Sequence, residues 1–223
     1  MPKVAASVVF PVSSPPRRNA VVELDSNGVI ISVSPGQVSF RELAGVEYYS
    51  GILVPGLVDV MCGHEKSSHW LLSRGVRVAG RIGMPPEKDV SSVSAAGLTW
   101  KSRYDGMVSY RVFEDMECFR KLFKTGVMRG VCHVAHPEGA GPALAGFGLM
   151  EMMEVMIELQ EGTAKPDLAV LLAMASLNGA NALGFGDTTG SLTPGKKPGI
   201  NIIEGADLIK MRLLPGSRLR RLF

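Results

Sequence analysis

The four histidines of the chain form two pairs, His64 with His69 and His133 with His136, and Cys62 lies two residues before the first pair. Imidazole and thiolate groups are common protein ligands of zinc, and they also suit iron. His64 and His69 are five residues apart, which places them on different faces of a helix and argues against the zinc-protease pattern. His133 and His136 are three residues apart, so they could share a metal on a helix or turn, or they could simply pack within a loop.

Both ends of the chain show the alternating, β-branched pattern of short strands. In the N-terminal part the predicted strands are Val4–Val12, Ala20–Leu24 and Val29–Val33. In the C-terminal part they are Ile200–Ile203 and the alternating segment Leu208–Leu214, and residues Arg218–Leu222 suit a solvated edge strand. Asn27-Gly28 predicts a tight turn, because both residue types accept the positive backbone angles that such a turn needs. We expect the two ends of the chain to form one small β-sheet unit.

The central part of the chain predicts an α/β body. The apolar run Gly51–Val60 is interrupted at Pro55-Gly56, which indicates a strand that leaves the small sheet, turns, and continues as a buried strand of a larger sheet. Farther along, apolar residues at helical spacing predict amphipathic helices. The predicted helices are Phe113–Lys124, Leu149–Gln160 and Pro166–Leu183, the last of them ended by Gly184.

The composition argues against several classes of protein. The chain has 223 residues, of which 46% are hydrophobic and 20% charged, as is typical of a globular protein with a substantial core. The net charge is +3 and the basic residues are spread along the chain, so no nucleic-acid partner is expected. The apolar runs are too short for a membrane span, so no membrane partner is expected either. Three cysteines, an odd number, favour a reducing compartment over a disulfide framework, and we therefore expect a cytoplasmic protein.

Two stretches of the chain carry a resemblance to a known group of enzymes. Residues 48–59, which read Tyr-Tyr-Ser-Gly-Ile-Leu-Val-Pro-Gly-Leu-Val-Asp, resemble the segment by which amidohydrolase-superfamily enzymes pass from an N-terminal β-sandwich into the first barrel strand. Residues 175–184, followed by Gly190–Leu192 and Pro194–Gly199, are similar to the last barrel helix and the return to the sandwich. Together the stretches cover about the first third and the last third of the chain, and they are most similar to the cytosine-deaminase and chlorohydrolase-like branch.

The resemblance implies an α/β fold in which a small β-sandwich formed by both termini is attached to a (β/α) barrel. Its domains would be a composite sandwich, residues 1–51 with 188–223, and a barrel of residues 52–187. A complete eight-stranded barrel needs roughly 250 residues, and the stretch between Ile52 and Gly184 offers about half of that length. We therefore predict an incomplete barrel. Because an open sheet edge must be paired or covered, a homo-oligomer that closes it is expected.

The resemblance also implies a metal site, which this sequence matches incompletely. The family's first strand ends in His-x-His, but Met61 and Gly63 occupy those two positions in the ungapped register. A shift of one residue places Cys62 and His64 there instead, with His69 at a further histidine position, but that shift requires an insertion in a buried strand. The family's last strand supplies an Asp, whereas His136 or Glu138 is the nearest candidate here. The composite site that follows consists of Cys62, His64, His69, His133 and His136.

Three functional hypotheses remain open from the sequence. The first is an amidohydrolase-like hydrolase of the deaminase type, which uses zinc or iron to hydrolyse a carbon–nitrogen bond in a small molecule. Its catalytic competence is in question because several of the family's ligands have no counterpart, and a dead site would hold no metal. The second is a non-catalytic amidohydrolase remnant that acts as an oligomerising scaffold. The third is a protein that binds a metal through the composite site without hydrolysis.

Overall fold

A computed structural model describes residues 1–35, 45–62, 68–81, 91–93, 99–102, 152–161, 166–182 and 184–223, and it shows an α/β protein with mixed sheets. The strands are β1 (Lys3–Val9), β2 (Arg17–Leu24), β3 (Ile30–Ser34), β4 (Val46–Pro55), β5 (Leu57–Cys62), β6 (Val76–Arg81), β7 (Ser91–Val93), β8 (Thr99–Ser102), β9 (Ile200–Glu204) and β10 (Arg218–Arg221). The helices are α1 (Ser68–Ser73), α2 (Met152–Glu161), α3 (Leu168–Ala175) and α4 (Leu177–Ala182). The predicted helix Phe113–Lys124 lies outside the described residues.

Strands from both ends of the chain join in one six-stranded sheet, in the order β10-β9-β4-β1-β2-β3. β1 and β4 are parallel, and the other neighbours are antiparallel. Side chains alternate between two buried clusters: Ile52 and Val54 of β4 enter the first cluster, and Leu53 between them enters the second. Apolar residues therefore line both faces of this sheet. The sandwich and the domain boundaries stay predictions.

A second sheet of four strands, in the order β5-β6-β8-β7, begins directly after Pro55. β5 is parallel to β6, and β6 is parallel to β8, while β7 runs antiparallel to β8. Helix α1 connects β5 to β6, so these three elements form the βαβ unit that parallel neighbours require. Helices α3 and α4 pack against β5. This arrangement is consistent with a barrel type of fold, and closure of the barrel remains a prediction.

The helices in the C-terminal half follow the predicted pattern with one interruption. α2 confirms the helix that was predicted from the methionine-rich stretch. The predicted helix Pro166–Leu183 is divided at Ser176, whose backbone has left the helical region at φ −139° and ψ −82°. The Ser176 hydroxyl donates to the Leu172 carbonyl, and such a bond competes with the backbone ladder of a helix. No helix in the part of the chain described is long and apolar enough to cross a membrane.

The turn between β2 and β3 forms as predicted around Asn27-Gly28. The Asp25 carboxylate accepts hydrogen bonds from the backbone N–H groups of Asn27 and Val29, each at 2.8 Å. Gly28 has a φ of +81°, a conformation that glycine adopts without steric cost. The turn is thus held by an aspartate side chain as well as by the backbone.

The prediction of a strand at Leu208–Leu214 is wrong, because a compact turn occupies most of this segment. The Asp207 carboxylate accepts hydrogen bonds from the backbone N–H groups of Ile209 at 2.9 Å and Lys210 at 2.8 Å. The backbones of Asp207 and Arg212 pair with each other, and Met211 has a φ of +52°. The alternating sequence predicted a strand, but a side-chain acceptor at the start of the segment satisfies the backbone locally.

The stability of the turn at Asp207 is expected to depend on pH. The backbone N–H of Lys210, together with that of Ile209 and the nearby cations, lowers the pKa of the Asp207 carboxyl below its usual value. Since the folded pKa is the lower one, the stabilisation is present above the unfolded pKa and is lost as the pH falls through the folded pKa. We expect an NMR titration to show the depressed pKa, and Asp207→Asn to remove the acid-dependent loss of order at Ile209. An Asp207 pKa at or above the usual value for aspartate would contradict the turn geometry.

Candidate functional site

One of the predicted metal ligands, Cys62, lies at the carboxyl end of β5. Cys62 is the last residue of this strand and pairs with Arg81, the last residue of β6. Side chains at the carboxyl ends of parallel strands are the usual location of active sites in α/β folds. The structure therefore places one of the five predicted ligands in the expected region of the fold.

The pairing of β5 with β6 is irregular just before Cys62. Asp59 pairs with Ala79 and Cys62 pairs with Arg81, so β5 uses three residues where β6 uses two. One residue is thus inserted into β5 between Asp59 and Cys62, as in a β-bulge. An irregularity at the start of the pair runs the other way, since Leu57 pairs with Val76 and Val58 with Val78, so over their whole length the two strands stay in step. Bulges are frequent next to active sites, where they redirect the residues that follow.

Asp59 is a functional candidate that sequence reasoning did not single out. Its side chain is 0% exposed, and it sits in β5 immediately before the inserted residue. A buried carboxyl group near the carboxyl end of such a strand is a candidate for proton transfer or for orienting a ligand. The signal available in the sequence was a lone acidic residue within the apolar run Leu57–Val60.

The other predicted ligands are placed only in part. His69 is exposed in the first turn of α1, a helix that packs against β6 and β10. His64, His133 and His136, together with the alternative Glu138, lie outside the described residues. Within the described ranges, no three His, Cys, Asp or Glu side chains form a group that could hold a metal ion. The fit of these residues to a zinc ion therefore rests on the chemistry of their donor atoms. A thiolate together with imidazoles is a ligand set that zinc accepts well.

The start of β5 is fixed by close contacts between the two sheets. The Gly56 N–H donates to the Gly199 carbonyl at 3.2 Å, and the Leu57 N–H donates to the Gly75 carbonyl at 2.8 Å. The buried Asn201 side chain of β9 also donates to the Gly75 carbonyl, at 2.9 Å. Gly56 has no room for a side chain, because an added Cβ would lie 2.3 Å from the Pro198 carbonyl oxygen. These contacts define the sheet junction (Gly56, Gly75, Gly199 and Asn201), which sets where β5 begins.

Comparison with solved structures shows that the fold is shared with amidohydrolases. An amidohydrolase from Thermotoga maritima superposes with a TM-score of 0.52 at 14% identity, over 100% of this chain and 98% of that chain. A putative prolidase from Bifidobacterium longum gives 0.52 at 12% identity, and the E. coli guanine deaminase 0.52 at 10%, each over 94% of this chain and 90% of the other. At sequence identities of 10–14%, the similarity to these structures establishes the fold alone. The incompleteness of the barrel stays a prediction.

The sequence itself matches one family model. Residues 119–218 match the amidohydrolase family. This match includes His133 and His136, and also the C-terminal stretch in which the sequence resemblance was recognised. No curated protein matches the chain. The predicted resemblance to amidohydrolases is therefore confirmed at the level of fold and of this matched region, whereas the deaminase-like branch remains a proposal.

Proposed function

We propose that this protein is a metal-dependent hydrolase of the amidohydrolase type that cleaves a carbon–nitrogen bond in a small cytoplasmic molecule, with deamination as the closest reaction class. The family match over residues 119–218 and the fold shared with amidohydrolases support a hydrolase. The deaminase type rests on the resemblance of residues 48–59 and 175–199 to that branch.

The observation that carries the proposal is the position of Cys62 as the last residue of β5, at the carboxyl end of a strand that is parallel to its neighbour β6. The main objection to catalysis was that the ungapped sequence puts Met61 and Gly63 at the two positions where the family has histidines. In the register shifted by one residue, the pair would instead be Cys62 and His64. Cys62 would then offer a thiolate to a metal at the carboxyl end of β5, where active sites of α/β folds lie.

The chemistry then divides between the metal and the residues of the chain. A bound zinc ion would supply a hydroxide at neutral pH by lowering the pKa of its water. Cys62 and His64 would hold the metal from the first strand, and His133 would hold it from the segment that matches the family model. His136 or Glu138 would carry the proton to the leaving nitrogen, since one of them replaces the usual aspartate. Asp59, buried in β5, would orient the ligands that follow it.

Metal analysis of the purified full chain tests this assignment without relying on activity. We expect about one zinc per chain, and we expect Cys62→Ala and His64→Ala each to weaken zinc binding by at least about tenfold, because each removes a ligand. Cobalt substitution should show a thiolate charge-transfer band that disappears in Cys62→Ala. Cys118→Ala is the matched control, since it removes a cysteine that the proposal does not use.

The outcomes separate the competing functions. If Cys62→Ala and Cys118→Ala retain equal amounts of zinc, the Cys62 site is refuted. A metal-free chain that elutes as a dimer or larger assembly would favour the scaffold instead. Zinc bound through Cys62 without ammonia release from amino-substituted heterocycles would favour a metal-binding protein that lacks hydrolysis.

A further inference from the structure

A second concave site lies at the opposite end of the parallel strands from the candidate metal site. It has a volume of about 330 Å³ and is formed by the Ser26–Gly28 turn, the start of β6, the segment before β9 and the end of β10. Pockets that bind small molecules begin at about this size. Its position is distinct from the candidate catalytic site because Arg77 is the second residue of β6, whereas Cys62 and Arg81 lie at the carboxyl ends of their strands.

Three cations from separate parts of the chain line this pocket: Arg77, Lys197 and Arg221. No acidic side chain is among the lining residues. Among the ion pairs formed by described residues, none involves these three side chains. Burial, assisted by the positive charge of Arg221, lowers the pKa of the Arg77 guanidinium below its usual value. Like charges gathered in a concavity repel one another, so this arrangement has a cost that a bound anion would relieve.

Of the three cations, Arg77 is the one whose stem is held in place by its surroundings. A Cβ added to Gly56 would lie 2.6 Å from Arg77 Cβ, and one added to Gly199 would lie 3.5 Å from Arg77 Cδ, so glycines enclose the stem of Arg77. A Cβ added to Gly28 would lie 3.7 Å from Lys197 Cε. Lys197 therefore crosses the face of the turn. Arg77 is half-buried, whereas Lys197 and Arg221 are exposed, so the pocket has a fixed floor and an adjustable rim.

We propose that this pocket binds a small polyanion of the phosphate-ester or pyrophosphate class. Three positive side chains suit a ligand with two or more negative charges, and a guanidinium can bind phosphate oxygens through two parallel hydrogen bonds. The Ser26 hydroxyl at the rim offers a further donor to such oxygens. A single concave pocket of this size favours a compact ligand over a nucleic-acid strand, which would require an extended basic track.

Such a ligand would connect the two sheets. The Ser26–Gly28 turn joins β2 to β3 of the six-stranded sheet, which also contains β10, whereas Arg77 lies in β6 of the four-stranded sheet. Because the ligand would bind the native arrangement and not the unfolded chain, binding should raise the melting temperature. The anion would thereby stabilise the sheet junction from which β5 begins, at a distance from the candidate catalytic end.

Calorimetric titration of the full chain with pyrophosphate tests the proposal. We expect saturable binding with a Kd below about 1 mM, a rise in melting temperature, and a Kd weakened by about fivefold or more in Lys197→Gln and Arg221→Gln, because each removes a charge-assisted contact. Arg77→Gln should have the largest effect, and the exposed Lys197 and Arg221 variants preserve the test if that buried variant does not fold. Lys210→Gln is the matched control, since it removes one exposed positive charge that does not line the pocket.

Several results would overturn the proposal. Absence of saturable binding at millimolar pyrophosphate would do so, as would an equal loss of affinity in Lys210→Gln, which would indicate a response to net charge. Tighter binding of a single-stranded oligonucleotide than of pyrophosphate would assign the surface to nucleic acid instead. Loss of pyrophosphate binding together with zinc in Cys62→Ala would assign the anion to the metal site instead of to this pocket.

Discussion

Gly56→Ala is expected to lower the free energy of unfolding by about 3 kcal/mol, the upper end of the usual cost of overpacking, because the site is inflexible. The added methyl group would lie 2.3 Å from the Pro198 carbonyl oxygen and 2.6 Å from Arg77 Cβ. Neither atom is the end of a flexible side chain, so relief requires movement of the backbone. Any such movement would separate β5 from the segment before β9 and stretch the hydrogen bond from Gly56 to Gly199.

Gly195→Ala provides the control for this substitution. Gly195 has a φ of +88°, which an alanine tolerates at a cost of about 1 kcal/mol, and no atom lies within 4 Å of an added Cβ. The control therefore carries backbone strain without a steric clash, whereas Gly56→Ala carries the clash. Urea unfolding monitored by circular dichroism measures both. An effect of Gly56→Ala no larger than that of Gly195→Ala would mean that the sheet junction is looser than the structure shows.

Asn201→Asp is expected to destabilise the protein by about 3 kcal/mol at neutral pH, as burial of an unsatisfied charge does. The Asn201 amide nitrogen donates to the Gly75 carbonyl at 2.9 Å and approaches the Pro55 carbonyl at 3.5 Å, and the side chain is 1% exposed. A carboxylate has the same shape but cannot donate. It would place its negative charge against two carbonyl oxygens, and it would leave the sheet junction without its side-chain hydrogen bond.

The same variant should recover stability in acid. Burial against carbonyl oxygens would raise the folded pKa of the new carboxyl group above its unfolded value of about 3.9. Because the folded pKa is the higher one, the stability of Asn201→Asp is highest below the unfolded pKa and is lost as the pH rises through the folded pKa. Unfolding experiments from pH 3 to pH 7, compared with the exposed turn variant Asn27→Asp, measure this dependence. A parallel pH profile for the two variants would contradict the buried hydrogen bond.

Much of the β-structure could be predicted from the sequence because its signals are local. The alternation of apolar residues predicted β1 to β3, and Asn27-Gly28 predicted the turn that Asp25 stabilises. Pro55-Gly56 predicted the passage from one sheet to the next. Each of these signals depends on residues within a few positions of one another, where side-chain periodicity and backbone preference decide the conformation.

Local alternation also produced the error at Leu208–Leu214. Strands and hydrogen-bonded turns can share the same pattern of apolar residues, and the acceptor that decides between them here is the Asp207 carboxylate. A buried contact from α2 adds to this outcome, because the Gln160 side chain accepts the hydrogen bond from the Leu213 backbone at 2.8 Å. No window of sequence around Leu213 contains that partner.

The amino-acid sequence by itself determined the first three strands, β9, and the point at Pro55-Gly56 where the chain passes between sheets. The tertiary structure decided how those segments pair, where β5 holds its inserted residue, and that Arg77, Lys197 and Arg221 line one pocket. The physical reason is that strand register and charge clustering arise from contacts between residues far apart in the chain. Their energies depend on the packing of the whole domain, whereas strand and turn preferences are set by near neighbours.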